Sequence, residues 1–262
     1  MSTLTYPQLG SGALSQYPVR KTRRVRTVIN EAADGSTVRL ADPAGETTEW
    51  QLDYAEISDD EAAALEAFFT AAEGTLNGFT FPDPAGNLLA WSEQLNNSAW
   101  QKDPQLTLTE GVNDPAGGTQ AWQLSNGGAA AQGIWQTLQV PGVYTYCFSA
   151  YVRAASPSTV QLWIGSQAVE RVVSSGWGRI TFAATGPAVA ESLRFGIEAE
   201  AGTTVEVYGP QAEVQGGASV YRTSTRGGVY EDAHLRDDVF KVTRTGFNRN
   251  SCTVNIIHAN HL

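Results

Sequence analysis

The chain has 262 residues and a mass of 28.0 kDa, a length that suits one or two domains. Hydrophobic residues at 42% against charged residues at 17% supply a sizeable core and exclude a disordered chain. With 17 basic against 27 acidic residues, a net charge of −10, general nucleic-acid binding is disfavoured because it needs cations against phosphates, which leaves room only for a local basic patch.

No apolar run approaches the ~20 residues of a membrane-spanning helix, and the opening residues carry no charged-then-apolar leader pattern. Cys147 and Cys252 have neither zinc spacing nor the look of a disulfide framework. They read as two free, half-buried thiols of a protein made in a reducing cytosol. Seven Trp, nine Tyr and nine Phe against a single Met lean towards β-structure.

Arg20 to Ile29 reads as one extended run, ended by turn residues from Asn30 to Gly35. Thr37 to Leu40 is a short strand, and Asp42-Pro43-Ala44-Gly45 is a turn with proline at its second position. Glu46 to Leu52 resumes the alternation, with Trp50 and Leu52 on one face. Ser58-Asp59-Asp60-Glu61 forms a capping box. The helix it opens has Leu65, Phe68, Phe69 and Ala72 on one buried stripe. Gly74 ends that helix in a left-handed conformation. Leu76 to Phe81 is a further strand, halted at Pro82-Asp83-Pro84-Ala85-Gly86.

From Asn87 the texture changes. Six of the seven tryptophans lie between there and Tyr221. Short alternating runs recur at Gln120–Leu124, Gly133–Val140, Val143–Arg153, Thr159–Ile164, Gly178–Ala183, Ser192–Ala199 and Thr203–Tyr208. Strands at that spacing point to a jelly-roll-like β-sandwich. Asp238–Arg244 and Cys252–Ile257 return to the opening texture. A lone strand pair cannot stand as a domain, so these strands complete the N-terminal one. The expected organisation is a discontinuous domain of residues 1–86 and 225–262, with a sandwich of residues 87–224 inserted into it.

Catalytic motifs are absent: none of His234, His258 and His261 sits in a nucleophile or zinc motif, and no phosphate-cradling loop occurs. Glu198 and Glu200 share a strand face, which reads as a solvated face more readily than as a glycosidase pair. No enzyme activity, cofactor or metal site is expected. The strongest local anomaly is the basic strand Arg20, Lys21, Arg23, Arg24 and Arg26. One reading is a contact with an acidic neighbouring subunit, such as Asp59-Asp60-Glu61, or, as the weaker form of it, with DNA passing close by; the other is a charged edge strand that resists aggregation.

In Val160–Ile164 the aliphatic residues share one face, leaving Trp163 and Gln161 on the other. In Val143–Arg153 the same alternation turns Tyr151 and Arg153 outward. An exposed indole, a tyrosine, an amide and a guanidinium together suit a pyranose, whose apolar face stacks on the ring while the polar groups meet its hydroxyls. Trp163, Gln161, Tyr151 and Arg153 are therefore the candidate carbohydrate patch. Cover by a loop or a neighbouring subunit is the alternative for each.

Two stretches carry a family resemblance. The strand bearing Trp50 and Leu52, the capped helix Ser58–Phe69, Gly74 and Phe79-Thr80-Phe81-Pro82-Asp83-Pro84 resemble the β-barrel-like N-terminal domain of siphophage distal tail proteins and of the short minor tail proteins of lambda-like phages. Asn87–Leu95 with Trp100, Gly176-Trp177-Gly178-Arg179-Ile180 and Tyr208–Glu213 resemble carbohydrate-binding-like sandwich modules common in phage tail proteins.

The resemblance implies a mainly β protein: a barrel-like tail domain with one helix, plus the inserted sandwich. It further implies a structural tail-tip component of the virion, assembled in the host cytoplasm. Its partners would be copies of itself in a ring (sixfold, with threefold as the alternative), the tail tube, hub and fibres, and a host-surface polysaccharide bound by the insert. A glycan-processing enzyme or a stand-alone carbohydrate-binding protein is the competing reading.

Overall fold

The computed structural model describes residues 4–260, so His261 lies outside it. The chain forms two compact units. One contains the residues up to Leu9, Ser15–Phe81 and the chain from Tyr230 onward; the other contains Gly10–Leu14 and Pro82–Val229. Along the chain, β1 (Val19–Glu31), β2 (Thr37–Ile57), α1 (Asp59–Ala72) and β3 (Phe79–Pro82) come first. Then follow β4 (Gln101–Lys102), β5 (Leu106–Val112), β6 (Ala121–Asn126), β7 (Gln132–Leu138), β8 (Thr145–Arg153), β9 (Ser158–Ile164) and β10 (Gln167–Val173). β11 (Gly178–Thr185), β12 (Leu193–Ala199) and β13 (Thr204–Glu213) complete that series, and β14 (Val229–Leu235), β15 (Val242–Gly246) and β16 (Arg249–Ala259) end the chain. The protein is mainly β, and α1 is the one α-helix among the described residues.

In the first unit the strand order is β1-β2-β16-β14-β3, with β15 added on β16. The sheet stays open between β1 and β3 and does not close into a barrel. Leu52 pairs with Val254 and Trp50 with Ile256, placing four buried apolar side chains on one face. The turn expected at Asp42–Gly45 does not form. β2 runs straight through it, and the extra residues are absorbed as a register shift opposite Arg24–Arg26. Arg26 packs across Gly45, where a Cβ would stand 2.7 Å from the arginine's own Cβ.

α1 begins as its sequence dictates. The Ser58 amide donates to Glu61 Oε2 at 2.8 Å, and the Glu61 amide donates to Ser58 Oγ at 3.2 Å. Its end is shared between two left-handed residues, Glu73 at φ 53° and Gly74 at φ 64°, rather than falling on the glycine alone. Phe68 meets Tyr6 and Phe79 edge-on at 5.0 and 4.9 Å, while Trp50 meets Phe81 at 5.2 Å. Ser58→Ala removes one side of the cap and should cost about 1 kcal/mol, read as a lowered urea midpoint; an unchanged midpoint would show that the cap contributes nothing.

The expected strand Asp238–Arg244 is displaced to Val242–Gly246. Phe240 instead stacks on Phe69 of α1 at 5.7 Å, and the Asp238 carboxylate accepts from the Thr75 amide at 2.9 Å. Those contacts hold residues 238–240 against the helix end. The other expected terminal strand, Cys252–Ile257, is present and extends to Arg249–Ala259.

The second unit is a sandwich of two five-stranded sheets, β10-β9-β12-β7-β4 and β11-β8-β13-β6-β5, antiparallel throughout. Alternation sets the core: Val160, Leu162, Ile164, Phe195 and Ile197 face inward from one sheet, and Tyr146, Phe148, Ala150 and Val152 from the other, all buried. Phe195 lies between Tyr146 and Phe148, at 5.5 and 6.5 Å. Asn87 ties two sequence motifs together: its Nδ2 donates to the Pro210 carbonyl, and its Oδ1 accepts from the Leu89 and Ala212 amides.

Cys147 and Cys252 are free, as their sequence context suggested, but fully rather than half buried. Burial pushes both thiols up to about 11, so neither is a nucleophile at neutral pH.

Candidate functional site

The four candidate carbohydrate residues do not form one patch. Trp163 and Gln161 lie on β9 and point outward from one sheet, while Tyr151 and Arg153 lie on β8 and point outward from the other. The sandwich core separates the pairs. All four are half-buried rather than exposed.

On the β8 side the outward groups satisfy one another. Arg153 forms an ion pair with Glu206 and lies under the Trp177 ring at 4.7 Å. Tyr151 packs on Tyr208 at 6.1 Å and carries the Arg179 guanidinium at 5.5 Å. Arg179 in turn donates to the Ser219 carbonyl and, at 2.9 Å, to Ser149 Oγ. Tyr208 donates to Glu93 Oε1 at 3.2 Å, and burial followed by the Glu93 charge pushes its hydroxyl up to about 12. This face is a largely paired network, with Arg179 Nε its one buried side-chain polar atom without a partner among the described residues.

The β9 side is built differently. β12 runs between β9 and β7, and its outward residues are Arg194, Gly196 and Glu198. Gly196 pairs with Trp163 on one side and Trp135 on the other, so two indoles flank a position with no side chain. A Cβ on Gly196 would come within 2.6 Å of both the Ile134 carbonyl oxygen and Trp135 Cβ; the tryptophan spacing requires glycine here. Arg194 fills the floor between the rings, its guanidinium carbon 4.9 Å from each ring centroid. Trp135 Nε1 donates to Gln101 Oε1 at 2.7 Å, which holds that ring from the far side. One row along, Glu198 stands between Gln161 and Gly133, and Gln161 donates to Glu170 Oε1 at 3.3 Å.

Among the described residues, four buried side-chain polar atoms lack a hydrogen-bond partner: Trp163 Nε1, Arg194 Nε, Glu198 Oε2 and Arg179 Nε. Three of the four lie on this one face. Buried polar atoms are nearly always paired in folded proteins, and leaving one unpaired costs about 1–3 kcal/mol. Two donors and an acceptor, all three buried and without a partner, thus lie beside a pair of indoles on one sheet face.

No family model matches the sequence. No curated protein matches it either. Several solved structures are similar over about half of the chain. The C-terminal family 22 carbohydrate binding module of Clostridium thermocellum Xyn10B is 16% identical, with a TM-score of 0.41, over 53% of this chain and 99% of that one. The CBM22-1–GH10 portion of the same organism's endo-1,4-β-D-xylanase 10B, solved with xylohexaose, is 15% identical, with a TM-score of 0.38, over 48% of this chain and 27% of that one. The enzymatically active domain of bacteriophage CBA120 tailspike protein 4 is 14% identical, with a TM-score of 0.39, over 50% of this chain and 22% of that one. Likeness at this level carries no functional inference by itself.

Sequence reasoning found Trp163 and Gln161 but missed Trp135, Arg194 and Gly196, and it set Glu198 aside as a solvated carboxylate. The alternation in Leu193–Ala199 does mark Arg194, Gly196 and Glu198 as a common face. What it cannot show is that β12 lies between β9 and β7.

The basic strand is also engaged within its own unit. Arg20 pairs with Asp53 at 2.6 Å, Arg23 with Glu46, Arg24 with Glu49 at 2.9 Å and Arg26 with Asp42. Lys21 donates to Tyr230 Oη at 3.0 Å and lies over the Trp50 and Tyr230 rings. Two of the three acidic residues expected to face them are engaged as well: Asp59 accepts from Arg244 and Asn250, and Glu61 belongs to the helix cap, while Asp60 is exposed. Among the described residues no group of three His, Cys, Asp or Glu side chains is placed to hold a metal ion, and no helix is long and apolar enough to cross a membrane.

Proposed function

We propose that the second unit is a glycan-binding module, and that the first is the structural part of a phage or phage-like tail-tip protein. The chain would then act in attachment rather than catalysis, in the virion tail. The single observation that carries the glycan half is Arg194 held between the Trp135 and Trp163 rings, with three buried, unpartnered polar atoms on the same sheet face. The indoles supply apolar planes for sugar rings. Trp163 Nε1 and Glu198 Oε2, buried and without a partner, would serve as a donor and an acceptor for sugar hydroxyls once the side chains over them shift on binding.

One shallow site of this kind holds with a Kd of about a millimolar, roughly 4 kcal/mol. Several copies carried on one particle raise the avidity by about 10²–10⁴, which is the advantage of placing such a site on a tail. The tail half is supported by the resemblance of the first unit's strand, capped helix and aromatic strand. A ring of copies meets through heterologous contacts that close under rotation, and β1 brings a 13-residue strand at the open end of its sheet. A glycan array followed by calorimetry on the whole chain tests the binding half: no binding to any glycan at millimolar concentration ends it.

Arg23 and Arg24 provide the assembly test. The arginine side chains are 53% and 60% accessible against 13% and 12% for Glu46 and Glu49, and each carboxylate keeps a second partner, Asn260 and Arg236 respectively. Arg23→Gln with Arg24→Gln should therefore leave the fold intact while weakening self-association in sedimentation velocity. Unchanged association would remove these arginines from the subunit interface.

A further inference from the structure

Building on the glycan reading, we infer that the ligand is an acidic polysaccharide, and that Arg194 recognises the carboxylate of a uronic-acid residue. Four of the five basic residues of the β1 strand are neutralised by a carboxylate of the same unit, and Arg153 is neutralised by Glu206. Arg194 is treated differently. Its guanidinium makes no hydrogen bond or ion pair among the described residues, although it is half-buried and its Nε is fully buried. Holding a cation partly out of water without a counter-ion is costly. The two indole faces repay part of that through cation–π attraction.

The geometry also fixes how a partner must approach. The guanidinium carbon lies 4.9 Å from both ring centroids and Nε is buried, so the Nη1–Nη2 edge is what is left for donation. That edge is the fork that matches a carboxylate in bidentate fashion. A neutral hydroxyl would use one donor of the fork and leave the charge unmet. Glu198, two residues beyond Gly196 on the same face, gives the site polarity: the carboxylate end of a sugar belongs at Arg194, and its hydroxyl end at Glu198. Glu198 and Glu170 repel a second carboxylate one row along, so sparse or regularly spaced uronates suit the face better than a dense polyanion. The chain's net charge of −10 opposes indiscriminate adhesion to polyanions, so any such binding reports a local site.

The test uses the full chain and three uronic-acid polymers of different backbone, namely polygalacturonate, alginate and hyaluronan, each beside its carboxyl-reduced form. Reduction turns the carboxylate into a hydroxymethyl group and leaves the linkages unchanged. The expected result is at least tenfold tighter binding of one native polymer than of its reduced form at low salt. That gap should narrow at high salt and vanish in Arg194→Gln, while Arg194→Lys, which keeps the charge without the fork, recovers only part of it. Folding of each variant is checked by thermal melting. Equal binding of native and reduced polymers, or a gap that survives in Arg194→Gln, overturns the inference and leaves the glycan reading standing. Binding confined to neutral glycans on an array does the same. Binding to no polymer and no array glycan overturns both.

Discussion

Trp163→Ala should weaken glycan binding by about thirtyfold, roughly 2 kcal/mol, the usual scale for truncating a central tryptophan anchor. The indole contributes in two ways: as an apolar plane on the β9 side of Gly196, and through an Nε1 donor that has no partner of its own. Trp163→Phe separates them, because it keeps a stacking ring and discards the donor; its affinity should fall between those of wild type and Trp163→Ala. Trp135→Ala should resemble Trp163→Ala. The double variant should cost less than the sum, since both rings clasp the same Arg194 guanidinium and residues that share a partner are not additive. The fold should survive each change, because both rings lie on the outer face and are only half-buried. Calorimetric titration beside a thermal melt checks both halves. Unaltered affinity in Trp163→Ala would move the site elsewhere.

Phe195→Ala should act by the opposite route. Phe195 is 0% exposed and sits on β12 between Arg194 and Gly196, facing Tyr146 and Phe148 across the sandwich. Truncating a buried phenylalanine costs about 3–5 kcal/mol through lost burial and the cavity left behind. Total stabilities are about 5–15 kcal/mol, so the second unit loses a large share of its margin. The same strand carries core on one face and site on the other, and binding should fall with folding in this variant, whereas Trp163→Ala separates the two. Urea denaturation followed by the tryptophan signal measures it. A loss below about 1 kcal/mol would mean that Phe195 is not central to the packing.

Local chemistry made much of this architecture readable in advance. The Ser58–Glu61 box, the Leu65/Phe68 stripe and most of the sandwich strands depend on residues within a few positions of one another, and the structure places them close to where the sequence did. The errors have non-local causes. Pro43 and Gly45 have the composition of a turn, yet pairing with β1 holds that stretch extended. Phe240 alternates like a strand residue but finds Phe69 on the helix. β5 and β10, each at the edge of its sheet, lie outside the expected strands; β10 mixes polar and apolar residues and leaves Val172 76% exposed, whereas β5 does alternate over Leu106–Thr109.

The site shows the same limit. Alternation correctly turned Trp163, Gln161, Tyr151 and Arg153 outward, but strand order decides which outward residues are neighbours. β8 and β9 are consecutive in sequence and lie in different sheets, while β9 and β12 are separated by two strands and lie side by side. Hence Tyr151 and Arg153 left the patch, and Arg194, Gly196 and Trp135 entered it. The arginines of β1 illustrate a related point, since their abundance suggested a partner surface and their nearest carboxylates proved to be on the adjoining strand.

The chain's seven tryptophans offer the most direct measurement, a titration of their indole N–H signals by ¹H–¹⁵N NMR with an oligosaccharide selected on an array. Binding at the β7–β12–β9 face requires the Trp163 and Trp135 signals to move together along a single isotherm, with Trp163, the indole lacking an internal partner, moving furthest. Trp50 in the first unit and Trp177 on the opposite face of the sandwich should stay where they are. Movement of Trp177 while Trp163 and Trp135 remain fixed would contradict the assignment of the glycan face, as would a titration in which none of the seven signals moves.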